Sequence, residues 1–567
     1  MSATELHELL CTLLVKTTAF NSTVQLSALS SLFEIARTHA ETTLSPHLLQ
    51  SSRCLQYFVA VLMTYLAEAS RMLETWKGDT RESCEEMCIL TGKLTALVEL
   101  FVPATEVETE DLFMKAENHV SWQRLKQVSQ SISPDDAEGT KQQMDSFARK
   151  VALGNAILQE GNTHQDQYMK KLAVGSGAMY YFFCRDAAVQ QTRLTYAHPD
   201  LATAKALWNL VDSRLVSPMY QSLIPSIHQN ALIYLPRVAP NVLSRLNDEE
   251  NEAAALHSGK HYIEQLQEEP LHSMVTYTDT PDPANVRVQV RLLSPFDLPL
   301  AYAAPREWWQ MCCGELIHPG KTLNQLILHF HGGGFISMSS ASHQNYTRRW
   351  AIDTDTPILS VDYRLSPENK YPDGLDDCWQ AYMWVVRYAK KYLGVSPEKL
   401  VLAGDSAGAN FALGVTLRCI QTGEQAPSGL LLTYPCVNLD IQHFSPSLVL
   451  CLEDPLVPYS FLKLCAQCYL RPSDSPKSDP YLSPILIPGS VLAQFPPVRI
   501  MVGTKDPLMD HSLKLADRLI EAGVSVKLAR FEEMGHGALN MDLAIGVSDA
   551  RKMVNQGTEF LKELLET

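Results

Sequence analysis

A histidine followed by three glycines, His331-Gly332-Gly333-Gly334, and a serine set between glycines, Gly404-Asp405-Ser406-Ala407-Gly408, are the residues of this 567-residue chain whose types and spacing could do chemistry. Together they point to acyl transfer. A serine in Gly-x-Ser-x-Gly sits on a sharp turn from strand to helix that projects its hydroxyl, and the flanking glycines are needed because a Cβ there would collide with neighbouring backbone. In the first motif, Gly332 and Gly333 are read as aiming bare N–H groups at an oxygen that becomes negative in a tetrahedral intermediate. Ala407, at the start of the next helix, is read as a third donor. His331, Gly334, Asp405, Gly404 and Gly408 are read as support for the two motifs, outside the proton path. With 17 His and 27 Gly in the chain, a His followed by three Gly is expected by chance on the order of 0.002 times. Two glycine turns without chemical meaning are therefore a poor account of the pair.

A serine nucleophile needs a base, and the base needs an orienting carboxylate. In the strand–turn–helix setting the chain order is Ser, acid, His, which confines the search to residues after Ser406. The apolar run Val498–Gly503 is followed by Asp506, and the run Val526–Phe531 by His536, which stands between Gly535 and Gly537. Both positions predict loops at the carboxyl ends of strands, the edge where open α/β sheets carry their chemistry. Rival carboxylates are Asp510, Glu532, Glu533 and Asp542. Asp510 is expected to cap the helix beginning at His511, and the Glu pair to be solvated. His443 and His511 follow no strand. The assignment is Ser406 nucleophile, Asp506 acid and His536 base, with no metal or organic cofactor required.

The elements that must position these groups are visible as apolar runs. Leu326–Phe330, 357–362, Lys399–Ala403 and 429–434 read as buried parallel strands alternating with helices, up to a final helix near 550–565. Such alternation predicts an α/β fold, a mostly parallel sheet with helices on both faces. Residues 1–265 read as an all-helical N-terminal domain, from the spacing of Leu6, Leu9, Leu10, Leu13 and Leu14 and the pattern over 201–216. The acidic run 247–252 marks the approach to the boundary. Residues 266–567 then form the α/β domain, entered by an antiparallel hairpin of Val275-Thr276-Tyr277 and 286–292. Between 436 and 494 the rhythm breaks into a Pro-rich, apolar insertion.

Composition narrows the class. With 46% hydrophobic and 19% charged residues the chain can bury a large core. Its net charge of −16 argues against nucleic acid and against simple electrostatic attachment to anionic membranes, so any lipid contact is mainly apolar. Glu5 and Glu8 and the lack of a basic start do not read as a secretory signal. The apolar stretch Tyr57–Ala67 is too short to span a bilayer and predicts a buried helix. Thirteen cysteines without a paired framework suit a reducing cytosol, and Cys465 and Cys468 are expected to be core packing.

The stretch from Leu326 to Asn540 resembles the hormone-sensitive lipase branch of the α/β-hydrolases. The likeness lies in His-Gly-Gly-Gly-Phe at 331–335, Asp-Tyr-Arg-Leu-Ser-Pro-Glu at 362–368, Gly-Asp-Ser-Ala-Gly at 404–408, Asp506-Pro507-Leu508 and Gly535-His536-Gly537. The segments 453–458, 479–484 and 495–498 are similar to its eukaryotic rather than its bacterial members. The resemblance implies the α/β-hydrolase fold, the same Ser406, Asp506 and His536 triad, and a carboxylester substrate with long acyl chains: diacylglycerol, monoacylglycerol or sterol ester. It also implies that 436–494 and the N-terminal helices form a cap over an acyl pocket. Mammalian members carry a regulatory insertion with phosphorylated serines where Arg471–Ser478 forms a short bridge here, so that regulation does not carry over. The expected setting is the cytoplasm, with a peripheral lipid-droplet or membrane surface and a homodimer both compatible with it.

Three other readings compete. A soluble carboxylesterase acting on small short-chain esters would use the same triad. A catalytically silent ligand receptor on this fold would lack the base, which His536 argues against. The N-terminal half could serve as a module that docks on lipid droplets or partners.

Overall fold

The computed structural model describes residues 11–12, 36, 53–74, 81–105, 112, 119–162, 180–181, 184–197, 199–212, 217–236, 287–298, 323–441, 445–452, 454–543 and 546–566. A nine-stranded sheet organises them. Its strands are β1 (Ser129–Ile132), β2 (Gln229–Pro236), β3 (Arg287–Ser294), β4 (Leu323–Phe330), β5 (Ile358–Asp362), β6 (Val395–Asp405), β7 (Gly429–Thr433), β8 (Val498–Gly503) and β9 (Val526–Phe531). Their order across the sheet is β1-β9-β8-β7-β6-β4-β5-β3-β2. From β1 to β5 all neighbours run parallel, while β3 is antiparallel to both β5 and β2.

The central strands are apolar along most of their length because helices cover both faces. Every residue of β7 and β8 is buried, as are the last five of β4. The three leucines of β7 alone are stabilised by about 1.5–3 kcal/mol each on leaving water. Helix ends obey local chemistry. The helix Asp373–Leu393 opens with Asp373 and Asp376 in its first turn and stops at Gly394 with φ 68°; Ala407–Thr422 stops at Gly423 with φ 69°.

The N-terminal part is not wholly helical. Helices Arg53–Glu74, Arg81–Thr105, Ala137–Asn162 and Arg185–Ala197 are present, but β1 and β2 come from the same region and form the two edges of the sheet. The expectation of an all-helical segment up to 265 is corrected there. Both are edge strands whose pairing comes from distant residues, Ser129 with Leu528 and Ile233 with Val290, so helical propensity nearby did not decide them. The outer partner of β3 is β2; the segment 275–277, expected to form its hairpin, lies outside the described residues. The stretch Tyr57–Ala67 falls inside the helix Arg53–Glu74, with Phe58, Leu62 and Leu66 fully buried.

Candidate active site

The serine elbow closes the path from β6 to the helix Ala407–Thr422. Ser406 has φ 53° and ψ −117°, a conformation rare for a residue with a Cβ, and its N–H is held by the Thr433 carbonyl at 2.9 Å. A Cβ on Gly404 would meet the Gly408 carbonyl oxygen at 2.5 Å, so the turn closes only with glycine at that position.

The chain brings Ser406, His536 and Asp506 together from the ends of β6, β9 and β8. Ser406 Oγ lies 3.0 Å from His536 Nε2, and His536 Nδ1 lies 2.9 Å from Asp506 Oδ2 and 3.0 Å from Oδ1. Asp506 is completely buried and also accepts the Leu508 N–H at 2.7 Å, which leaves the carboxylate little freedom to rotate. Burial alone would lower the His536 pKa, but the Asp506 charge and hydrogen bond outweigh it and raise the ring above its ordinary value. Asp454 adds to that field. It is buried beside Gly535, accepts the Leu456 and Val457 N–H groups at 2.9 and 2.7 Å, and burial pushes its carboxyl up to about 6. Sequence reasoning missed Asp454, because its approach to His536 depends on how 436–494 folds back over the sheet.

The loop after β4 corrects one expectation. The Gly332 N–H donates to Asp405 Oδ1 at 2.9 Å, so it is committed to a carboxylate and cannot also serve an oxyanion. Gly333 and Gly334, with φ 115° and 60°, line the cavity with Ser406, Ala407 and His536. Their amides and that of Ala407 donate to no protein acceptor among the described residues. Asp405 is thus more than an ordinary elbow residue: it ties the elbow to the glycine loop. His331 stacks on Tyr363 with ring centroids 4.2 Å apart and donates from Nδ1 to the Gly332 carbonyl at 2.7 Å, bracing the same loop.

The rivals lie elsewhere. Asp510 does not cap its own helix; its carboxylate accepts from Ser445 Oγ and the Ser447 N–H, both at 2.7 Å, and so caps the short helix Pro446–Leu450. Glu532 accepts from Ser131 and Ser133, and Asp542 pairs with Arg551 at 2.7 Å. Glu368, two-thirds exposed, pairs with Lys205 at 3.0 Å. His511 accepts the Val437 N–H at 3.3 Å, and His443 lies outside the described residues. Among the described residues there is no group of three or more His, Cys, Asp or Glu placed to hold a metal ion.

Above Ser406 lies a cavity of about 460 Å³ with mostly apolar walls. One side comes from the N-terminal part, including Phe147, Trp208 and Leu223, and another from the 436–494 segment, including Leu448, Val457 and Leu462. Cys465 is buried in this wall against Gly334.

A sheet of this order with an elbow serine at the end of its central strand defines an α/β-hydrolase. Residues 327–540 match the family described as alpha/beta hydrolase fold. The chain is 41% identical over 152 residues to the hormone-sensitive lipase of Mus musculus, covering 27% of this chain and 20% of that protein's length. It is 33% identical over 242 residues to the carboxylesterase NlhH of Mycobacterium tuberculosis, covering 42% of this chain and 74% of that protein. Among solved structures, the thermostable carboxylesterase EstE1 from a metagenomic library superposes with a TM-score of 0.48 at 22% identity, covering 64% of this chain and 97% of that one. The chain belongs to the hormone-sensitive lipase family of the α/β-hydrolases.

Proposed function

We propose that this protein is a serine carboxylester hydrolase that cleaves neutral lipid esters, diacylglycerol, monoacylglycerol or sterol ester, through an acyl-enzyme. The observation that carries the reading is the unbroken relay Asp506–His536–Ser406 at the floor of an apolar cavity of about 460 Å³.

In the mechanism, Ser406 Oγ attacks the ester carbonyl as His536 Nε2 takes its proton, and Asp506 stabilises the imidazolium that results. The amides of Gly333, Gly334 and Ala407 receive the oxyanion; one such donor typically contributes about 3–4 kcal/mol to lowering the barrier. His536 passes its proton to the departing alcohol. Water activated by the same ring then releases the fatty acid and restores Ser406.

The N-terminal helices and 436–494 act as a cap whose apolar side chains take the acyl chain. No helix among the described residues is long and apolar enough to cross a membrane. We place the enzyme in the cytoplasm, reaching lipid droplets or membranes peripherally through apolar contact, a setting compatible with a homodimer.

A panel of esters of increasing acyl length tests the substrate. Activity that persists with long-chain acylglycerols supports the lipase reading. A rate that collapses beyond short chains favours the second reading, a small-ester carboxylesterase, to which the 33% identity with carboxylesterase NlhH lends weight.

A further inference from the structure

Beneath the elbow lies a buried polar group that takes no part in the proton path. His329, His331 and His343 are each at most 1% exposed and cluster beside Asp405, itself 3% exposed, with His329 and His343 facing it. The directions of its hydrogen bonds can be read one by one.

The Ser339 carbonyl can only accept, so Nδ1 of His343, 2.9 Å away, carries a proton. The Ser342 hydroxyl donates to the same carbonyl at 2.9 Å and does not compete for that nitrogen. The other ring nitrogen, Nε2, faces Asp405 Oδ2 at 3.5 Å and has no hydrogen-bond partner. A neutral ring would set its lone pair against a carboxylate oxygen in a buried site.

On its far side Asp405 behaves as an anion. Oδ1 accepts from the Gly332 N–H and the Tyr346 hydroxyl, each at 2.9 Å. Having given its one hydrogen to Asp405, Tyr346 can only accept from His329 Nε2 at 2.9 Å, and His329 Nδ1 takes the Ser360 hydroxyl at 2.8 Å. His329 is therefore satisfied as a neutral ring. His331 already donates from Nδ1 to the Gly332 carbonyl and lies 4.0 Å from Asp362. Of the three imidazoles, His343 is the one placed to balance Asp405.

We propose that His343 is a positioning residue: as the imidazolium partner of Asp405 it keeps that carboxylate ionised, and ionised Asp405 holds Gly332 and so sets the aim of the Gly333 and Gly334 amides. This rests on the reading of those amides as oxyanion donors. A Cβ on Gly332 would meet Asp405 Oδ2 at 2.5 Å, so the loop lies directly against the carboxylate and moves when it moves.

The electrostatics agree with the geometry. Burial disfavours a charged His343, but the Asp405 charge outweighs it and raises the ring above its ordinary value. Asp212 helps; its carboxylate accepts the Ser339 hydroxyl at 2.7 Å. Burial likewise disfavours ionised Asp405, and the facing His343 charge holds it well below the usual carboxylate range. His331 is pushed down to about 4 by burial and then by the His343 charge. Asp362 and the neutral His329 and His331 also face the pair, and Tyr346, Tyr363, Tyr434 and His536 feel the Asp405 charge. Since the His343 value is raised, the ion pair is intact below it and is lost as pH rises through it.

Neutron diffraction from crystals of the full chain at neutral pH should find deuterium on both ring nitrogens of His343, on Nε2 alone of His329, and none on Asp405. A deuteron on Asp405 with Nε2 of His343 bare overturns the proposal, whether or not any variant folds. In solution, His343→Gln should lower kcat roughly 10- to 100-fold on a short-chain p-nitrophenyl ester, with KM within about twofold, because the donors are misaimed rather than removed. Part of that loss should be regained at alkaline pH, where Asp405 ionises even without its partner, a recovery the wild type does not show; Ser406 should still label to completion with an uncharged phosphonate. A folded His343→Gln with unchanged kcat and pH profile overturns the proposal. Failure of the wild type itself to label at Ser406 would remove the hydrolase reading instead, and the neutron result would still decide the ion pair.

Discussion

Gly408 and Phe330 touch backbone to backbone: a Cβ on Gly408 would fall well inside contact distance of the Phe330 carbonyl oxygen. Phe330 ends β4 and Gly408 lies in the first turn of the helix after Ser406, so the serine elbow and the glycine loop are held in close backbone contact. The proposed nucleophile and oxyanion donors are set relative to one another by this contact.

Gly408→Ala must therefore push the two segments apart. Expected are a loss of roughly 1–3 kcal/mol in stability, as for an overpacked interior, and a fall in kcat of about 100-fold or more from misplaced donors. Gly489→Ala, where nothing lies within 4 Å of an added Cβ, is the control and should stay within about 0.5 kcal/mol of the parent. Thermal unfolding together with ester kinetics checks both.

Removing Ser406 as alanine should cost about 10⁶-fold in kcat, and Asp506→Asn about 10⁴-fold through the wrong His536 tautomer. Neither change should affect folding much, since Ser406 Oγ engages His536 and asparagine keeps the shape of Asp506. Comparable loss of far-UV circular dichroism would show that the effect is structural instead.

As the proposed base, His536 works only when deprotonated, and its pKa is raised from the ordinary 6.5. The acid limb of kcat/KM should consequently lie above that value, with activity lost as pH falls through it. Asp454 contributes to the raise, so Asp454→Asn should move the limb to lower pH. An unmoved limb in a folded variant would mean that Asp454 exerts no useful field at the ring.

Glu368→Gln should leave kcat within about twofold. The side chain is largely exposed and its pair with Lys205 is a surface contact, worth about 0–1 kcal/mol. A large kinetic effect would give this loop a role that its contacts do not indicate.

The order of the triad, its loops and the strands that carry them could be read from the chain. Buried parallel strands are short apolar runs, and successive runs present their carboxyl ends at one edge, so Ser406, Asp506 and His536 had to share that edge. The glycines of the elbow are equally local, because close backbone approach excludes any other residue. Three features depended on contacts between distant segments. The edge strands β1 and β2 are paired by residues far along the chain, and their own sequence carries too weak a period to announce it. The Gly332 amide is taken by Asp405, which shifts the proposed donors to Gly333 and Gly334. Asp454 and His343 acquire their significance only from which charge they face once buried. Residue type and spacing decide which groups can react; the direction of a hydrogen bond and the sign of a buried field belong to neighbours that folding alone supplies.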